Sequence, residues 1–547
     1  MTETVNYISG KKPLFHYVQD YAIKTPEKVA FVFYGREIAW KELDELANRF
    51  ANFLIAKGVK KGDSVAVYVP NCPQYILAYI GANKIGAAIV SLNPTYKEFE
   101  LEYMLKQVEA ETIVTLDHQY PVIANIKDKT KLKNVVVTSF ADFLPPEPTI
   151  PFGLPAKSEI EDFGNSYFLC DILEQYDADP VAVDVDIDDT YLYIFTSGTT
   201  GMPKGAMLSY RNAIYKSAST SQSMFFPIEE SDVNLISLPI MHIAGLLGLN
   251  ASIYLGITSV LLVRFDPVET LTAIEKYKCT HWVTITLAIK YLLGFPGIDN
   301  LSLKSLKKTL VSSLAMVLTE QIADSWSKLT ESIVCEASYG LTEDHTGDTY
   351  MPTDKIKFGK ICCGLPIPEN KIKIIDYETK KEAAQGEPGE IVVKNEGVFK
   401  GYWKNPEATN EVLRDGWLFT GDIGKLDEDG YLWFLGRKKE MIKSSGFSVF
   451  PEEVEGILLN HPAVAEIGVI GIPDDEIGEA VKAVIVLTGE QKETIRGEDI
   501  INWAKDKMAG YKRPKFIEFR DELPKGGTGK VLRRILLEEE LKNQGKN

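Results

Sequence analysis

Apolar and polar positions along the first 140 residues follow two alternating rhythms. From Trp40 to Lys57, Leu43, Leu46, Ala47, Phe50 and Leu54 recur at helical spacing on one face, and Gly58 follows as a stop signal. Val65–Val69 reads as a short strand ended by Pro70. A second helix is predicted over Tyr75–Ile85, and Gly86 leads into a strand over Ala87–Leu92. Strands alternating with helices predict parallel sheets with crossover helices, an α/β fold. Prolines 145, 146, 148, 151 and 155 predict an irregular surface connection outside the core. Tyr191–Phe195 reads as a buried strand, preceded by the acidic run Asp184, Asp186, Asp188, Asp189. That run fails the EF-hand pattern, since Asp189 and Phe195 stand where Gly and Glu are needed. A solvated approach to the strand is expected instead.

Val233 to Val263 contains no formal charge, but Asn234, His242, Asn250 and Ser252 interrupt it. A membrane span needs about 20 apolar residues. The stretch therefore predicts a buried helix, a turn at Gly256-Ile257-Thr258-Ser259, and a buried strand over Val260–Val263. After the strand Tyr431–Leu435, the run Gly436-Arg437-Lys438-Lys439 marks a change of character. The remainder predicts a small α/β unit: helix Glu452–Leu459, strands Glu466–Ile470 and Val481–Leu487, and helix Asp499–Lys507. A hinge at the basic run is expected.

Composition narrows the class. A chain of 547 residues, 45% apolar and 25% charged, is an ordinary globular protein of more than one structural unit. Sixty basic against 77 acidic residues give a net charge of −17, which argues against nucleic acid or an anionic membrane held by bulk charge. The six cysteines lack CxxC spacing and are too sparse for a disulfide scaffold. The N-terminal residues lack the apolar run of a signal peptide, so a reducing, cytoplasmic location and no transmembrane segment are expected.

The most informative stretch is YLYIFTSGTTGMPKG, Tyr191 to Gly205. A strand runs into Thr196, Ser197, Gly198, Thr199, Thr200 and Gly201, followed by Lys204. Small residues let backbone N–H groups approach an anion, hydroxyls add donors, and a polyphosphate is the natural ligand. A plain Ser/Thr/Gly surface turn is the alternative. The loop is not a Walker motif, because Pro203 stands where its second glycine belongs. The glycine-rich 524–530 segment fails the same test, since Val531 follows Lys530.

Five motifs in order, TSGTTGMPKG (196–205), YGLTE (339–343), TGD (420–422), GR (436–437) and PKGGTGK (524–530), carry a resemblance. Over nearly the whole chain the sequence resembles the adenylate-forming superfamily of acyl-CoA synthetases, luciferases and peptide-synthetase adenylation domains. The resemblance implies a large N-terminal region of packed α/β sheets with a small β-barrel-like subdomain, residues 1–436. A small mobile α+β domain, 437–547, would pivot at Lys439. It implies an AMP-forming acyl-CoA synthetase: ATP and a carboxylate give an acyl-adenylate and pyrophosphate, and CoA then displaces AMP.

By the same resemblance, residues 196–201 and Lys204 would hold the β- and γ-phosphates, Thr342 the α-phosphate, and Glu343 Mg²⁺. Ala337, Ser338, Tyr339 and Gly340 would flank adenine, with Asp422 and Arg437 at the ribose. Lys530 would bridge carboxylate and phosphate, a task suited to a compact ammonium. Lys443, Ser445 and Gly446 would reach the thiol tunnel in the second orientation, and His242 would gate the pyrophosphate exit and acyl pocket. Taken singly, Asp422 also suits a turn cap and Glu343 a helix cap. Lys530 with Arg533 and Arg534 also reads as a solvated basic face, and His242 as a core histidine. Their joint placement favours the nucleotide reading.

The chain departs from the family's Ser-Gly-Gly-Ala-Pro at Ser312-Ser313-Leu314-Ala315-Met316, where both glycines gain side chains, and from its Val-Pro around Thr284–Leu287. Added bulk at a close-packed site shifts or shortens a cavity. The polar run Asp344-His345-Thr346-Gly347-Asp348 is an unusual wall for a fatty chain, so a short or hydroxylated acid stands beside a medium or long fatty acid as the expected substrate. CoA is the expected acceptor, with no carrier domain appended before Asn547. An acyl-AMP ligase loading a carrier protein, a luciferase-type oxygenase and a nonreactive adenylate-binding regulator are the alternatives. A homo-oligomer is compatible with the sequence.

Overall fold

A computed structural model describes residues 4–196, 202–225, 227–313, 316–359, 361–444, 447–474, 476–489, 495–526 and 531–543. Two largely parallel sheets form the body. The first runs, in spatial order, Gly401–Tyr402, Lys204–Ser209, Thr190–Thr196, Ala88–Ser91, Ser64–Tyr68, Thr112–Leu116, Asn134–Thr138 and Tyr167–Phe168. Its strands from Thr190–Thr196 onward are parallel, whereas the first two pair antiparallel. The second runs Ile333–Glu336, Lys308–Ser312, His281–Ile285, Val233–Ile236, Thr258–Leu261, Val29–Phe33 and Arg36–Ala39, with only the last pair antiparallel.

One hydrophobic cluster joins both sheets: Val65, Val67 and Ile89 of the first, and Phe31, Leu235 and Val260 of the second. The helix Pro73–Lys84 belongs to the same interior, and every one of its residues is buried. A helix packed on all sides needs no polar face, which is why its amphipathic pattern is weak. The opposite face of the first sheet, with Ala66, Val90, Ile113 and Val135, packs under helix Glu98–Val108. Both faces of this parallel sheet are therefore covered, as its apolar strands require.

A third, wholly antiparallel sheet follows: Thr349–Tyr350, Ile361–Pro366, Leu432–Arg437, Trp417–Leu426, Gly389–Lys394 and Lys371–Ile375. It is the half-barrel that the resemblance implied. The C-terminal sheet consists of Phe447–Val449, Ile442–Ser444, Gly478–Leu487 and Val464–Asp474, with Phe516–Phe519 parallel to Gly478–Leu487. Helices Pro451–Leu458 and Gly497–Ala504 share its main cluster, and Leu536 of helix Arg533–Asn543 sits in a second.

Helix Trp40–Ala56 and strand Ser64–Tyr68 lie within a residue of their predicted bounds. The uncharged stretch differs in two ways: it opens with the strand Val233–Ile236 before helix Ile243–Leu255, and its second strand begins at Thr258 within the expected turn. Parallel pairing with Val29–Phe33 and Val233–Ile236 extends that strand backwards. No helix among the described residues is long and apolar enough to cross a membrane. The proline-rich connection is irregular, but it is not confined to the surface. Ile150 is fully buried, and the Phe152 ring stands edge-on to Tyr34 at 4.8 Å. The acidic run does form a solvated turn, with Asp189 accepting from the Asp186 amide just before the strand begins.

Candidate active site

The strand Thr190–Thr196 and its antiparallel neighbour Lys204–Ser209 form a hairpin whose last register pair is Thr196 with Lys204. Ser197, Gly198, Thr199, Thr200 and Gly201, the hydroxyl- and glycine-rich tip, lie outside the described residues. At the base of the tip, the Thr196 hydroxyl donates to Glu343 Oε1 at 3.2 Å. Tyr402 donates to the same oxygen at 2.7 Å. Burial first, and the Glu343 charge next, push the Tyr402 hydroxyl far above its ordinary pKa, so it stays a donor. Lys204 Nζ lies 5.2 Å from the Tyr402 ring centre. One cation, one carboxylate and two hydroxyls thus share the mouth of the hairpin.

Tyr402 was not singled out by its sequence. It stands on the two-residue strand Gly401–Tyr402, which the half-barrel connection lays along the hairpin edge, with Tyr402 opposite Ala206. Nothing local distinguishes this tyrosine from the chain's others.

Thr342 and Glu343 occupy one 3-10 turn, Thr342–Asp344, and the Phe399 amide donates to the Glu343 carbonyl at 2.8 Å. Just upstream, Ala337 and Tyr339 are buried, with Ser338 and Gly340 half-buried between strand and turn. Gly340 is dictated by close approach: a Cβ there would lie 2.6 Å from the Gly347 amide nitrogen. Tyr339 donates to Asp422 Oδ2 at 2.8 Å. Across the antiparallel pair, Asp422 stands opposite Arg437, whose Nε is 3.3 Å from Oδ1. Three of the predicted nucleotide residues are therefore brought into contact from sequence positions about a hundred apart.

His242 sits at the N-terminal end of helix Ile243–Leu255, and its Nε2 lies 3.4 Å from Asn93 Nδ2. Burial lowers its pKa, which favours the neutral ring. The side chain of Lys443 is exposed in the hairpin of the C-terminal sheet, and its amide donates to Glu479 at 2.6 Å. Ser445, Gly446 and Lys530 lie outside the described residues, as do Leu314 and Ala315 of the departing segment. Ser313 is described: its amide and hydroxyl both donate to the buried Glu336, at 3.0 and 2.5 Å.

Two expectations are corrected. The solvated basic face does not extend to Arg533, which is only 10% exposed and held by Glu440, Glu452 and Glu455. Arg534 is exposed, paired with Glu538. The polar run after Glu343 is also not a pocket wall, because Asp344, His345 and Asp348 are fully buried. His345 Nε2 meets the Tyr191 hydroxyl at 2.6 Å, and burial pushes the imidazole down to about 3, so it is neutral. Asp348 pairs with Lys216. These side chains face the protein interior, where sequence adjacency to Glu343 had placed them beside substrate.

The donor set fits Mg²⁺ that arrives with a nucleotide. Glu343 supplies one carboxylate beside hydroxyl oxygens, and Mg²⁺ usually takes one or two carboxylates with the rest from phosphates and water. Among the described residues no group of three or more His, Cys, Asp or Glu could hold a metal by itself.

The AMP-binding enzyme pattern matches residues 18–403, and its C-terminal domain pattern matches residues 453–530. A long-chain-fatty-acid–CoA ligase of Bacillus subtilis (strain 168) is 38% identical over 541 residues, covering 97% of this chain and 95% of that protein. The ATP-bound MatB of Rhodopseudomonas palustris superposes with a TM-score of 0.83 at 30% identity, over 97% of this chain and 99% of that one. The o-succinylbenzoate CoA synthetase of Bacillus subtilis in complex with its acyl-adenylate intermediate gives 0.79 at 26% identity, over 96% and 98%.

Proposed function

The chain belongs to the AMP-binding enzyme family and is an AMP-forming acyl-CoA synthetase, and on that premise we propose which residues perform each half-reaction and on which acid. ATP and CoA are its co-substrates. The observation that carries the assignment is the convergence of Thr196 and Tyr402 on Glu343 at the hairpin that presents Lys204.

In the first half-reaction a carboxylate oxygen attacks the α-phosphorus, and the bond to pyrophosphate breaks. Two anions must meet, so positioned cations and donors matter more than proton transfer. Lys204 and residues 196–201 hold the β- and γ-phosphates, Thr342 donates to the α-phosphate, and Lys530 bridges both reactants. Glu343 holds Mg²⁺, which neutralises phosphate charge when bound. Asp422 accepts from the ribose hydroxyls, oriented by Tyr339 and Arg437. Ala337, Ser338, Tyr339 and Gly340 flank adenine. In the second half-reaction the CoA sulfur attacks the acyl carbon and AMP departs. Residues 437–547 turn at Lys439 to bring Lys443, Ser445 and Gly446 to the thiol, while neutral His242 lines the exit and acyl passage. The short 3-10 turn Lys438–Glu440 and the separate C-terminal cores support this division.

The acid is a medium- or long-chain fatty acid, processed in the cytoplasm. The names of the relatives support this, and the inward packing of Asp344, His345 and Asp348 removes the polar run as an argument for the short or hydroxylated acid that stood beside it. AMP release from Mg·ATP with acids from acetate through hydroxybutyrate and benzoate to palmitate, with and without CoA, tests it. Turnover that needs both palmitate-class acids and CoA is expected. AMP release indifferent to CoA would indicate a carrier-protein acceptor, and none with any acid a nonreactive adenylate binder.

A further inference from the structure

We propose that Lys216 and Asp348 are positioning residues for the nucleotide half-reaction, whose buried ion pair, gathered with Asn370 and Asn395, sets the turn carrying Thr342 and Glu343. The proposal rests on the assignment of that turn to ATP and Mg²⁺.

Lys216, on helix Tyr210–Thr220, reaches Asp348 Oδ1 at 2.6 Å, and neither side chain has any exposed surface. Asn395 and Asn370 donate to the same oxygen at 2.9 and 3.2 Å, and Asn395 also donates to Asn370 at 2.8 Å. Three donors, one from helix Tyr210–Thr220 and two from separate loop positions, thus converge on one carboxylate oxygen. Such a pair is a poor source of net stability, because desolvation offsets its attraction. Its directional hydrogen bonds fix geometry instead.

That geometry leads to the turn along two routes. The Asp348 amide donates to the Tyr339 carbonyl at 2.7 Å, and the Thr346 amide to that of Leu341 at 2.9 Å. These bonds close the backbone loop whose tip bears Thr342 and Glu343. On the other side, Asn395 accepts from the Gly397 amide at 2.6 Å, and Phe399, two residues on, donates to the Glu343 carbonyl at 2.8 Å. The lysine stem packs directly on this second route: a Cβ at Gly397 would lie 2.1 Å from Lys216 Cε. Lys216 cannot touch substrate from this depth, so it acts only through Glu343 and its neighbours.

ATP–pyrophosphate exchange by the full-length enzyme tests the proposal, with Mg²⁺, ATP and palmitate varied in turn. Lys216→Gln and Asp348→Asn should each raise the half-saturating Mg²⁺ and the ATP KM about 10- to 100-fold, the range for residues that orient a metal ligand. The palmitate KM should not move. The double variant, a neutral hydrogen-bonding pair, should recover most of the loss. Asn395→Ala removes one donor without stranding a buried charge, and should shift Mg²⁺ dependence the same way if the charge variants do not fold. Folded variants with wild-type Mg²⁺ and ATP dependence would overturn the proposal. So would losses spread equally over all substrates in step with lowered Tm. Glu343→Gln separates the two layers. If it leaves Mg²⁺ dependence unchanged, the placement of Glu343 fails and the network's role with it. If it shifts that dependence while Asn395→Ala and the ion-pair variants do not, the network proposal alone fails.

Discussion

Asp422 and Arg437 face each other across neighbouring antiparallel strands, with the Arg437 Nε 3.3 Å from Oδ1 of a carboxylate that is 4% exposed. Tyr339 reaches the other oxygen at 2.8 Å. The carboxylate is thus oriented before any ligand arrives. Asp422→Asn should raise the ATP KM roughly 10- to 100-fold, the cost of losing a charge-assisted hydrogen bond, with the acid KM unchanged. Initial rates of pyrophosphate exchange at varied ATP measure this.

Tyr402→Phe removes one of two hydroxyl donors to Glu343 Oε1 and leaves the ring beside Lys204. The half-saturating Mg²⁺ should rise about 10-fold while Tm stays within a few degrees. An unchanged Mg²⁺ titration would remove Tyr402 from the site.

Lys530→Ala should lower AMP formation from ATP and acid by about 100-fold or more, as expected for a group that stabilises developing charge. Thioester formation from synthetic acyl-adenylate and CoA should persist, because the lysine belongs to the first orientation. Equal loss in both assays would show a different role.

Burial holds Glu336 neutral up to about 7, above its ordinary 4.5. Below 4.5 both folded and unfolded chains keep the proton, and its contribution is fully present. As pH rises the unfolded chain ionises first, so stability falls until the folded group also ionises near pH 7. The loss is on the order of 3 kcal/mol. Glu336→Gln should abolish that decline, seen as a flatter Tm profile between pH 4.5 and 7.

Arg533→Met would strand Glu440, Glu452 and Glu455 together in a nearly closed site. Removing one partner of a buried ion cluster costs about 3–5 kcal/mol. Calorimetry should show an early transition of the C-terminal unit, with the N-terminal transition unchanged.

Periodicity placed helix Trp40–Ala56, which buries one repeating face, and the short apolar run bounded by Pro70 placed strand Ser64–Tyr68, which is buried on both faces. The strand Val233–Ile236 escaped that reading. It is buried in a parallel sheet, so it lacks the alternation that separates a strand from an apolar helix. Ile150 was invisible for the converse reason: an irregular proline-rich backbone has no period, yet one side chain from it fills the core.

Taken singly, Asp422 and Glu343 also suited caps, but Lys204, Glu343, Asp422 and Arg437 were legible as candidates because they stand in ordered motifs that carry the family resemblance. Tyr402, Asn93 and Lys216 were not, because each acts on a residue more than fifty positions away. The polar run Asp344–Asp348 was misread for a related reason. Sequence adjacency to Glu343 says nothing about which way a side chain turns once the chain passes a 3-10 turn. By itself the sequence determined the α/β class through local periodicity, and the order of the motifs, whose resemblance to the adenylate-forming superfamily implied the reaction. Only the tertiary structure decided that Asp348 and His345 are spent inside, on Lys216 and Tyr191. A buried charge must find its partner wherever the fold brings one, and that partner leaves no trace in the neighbouring sequence.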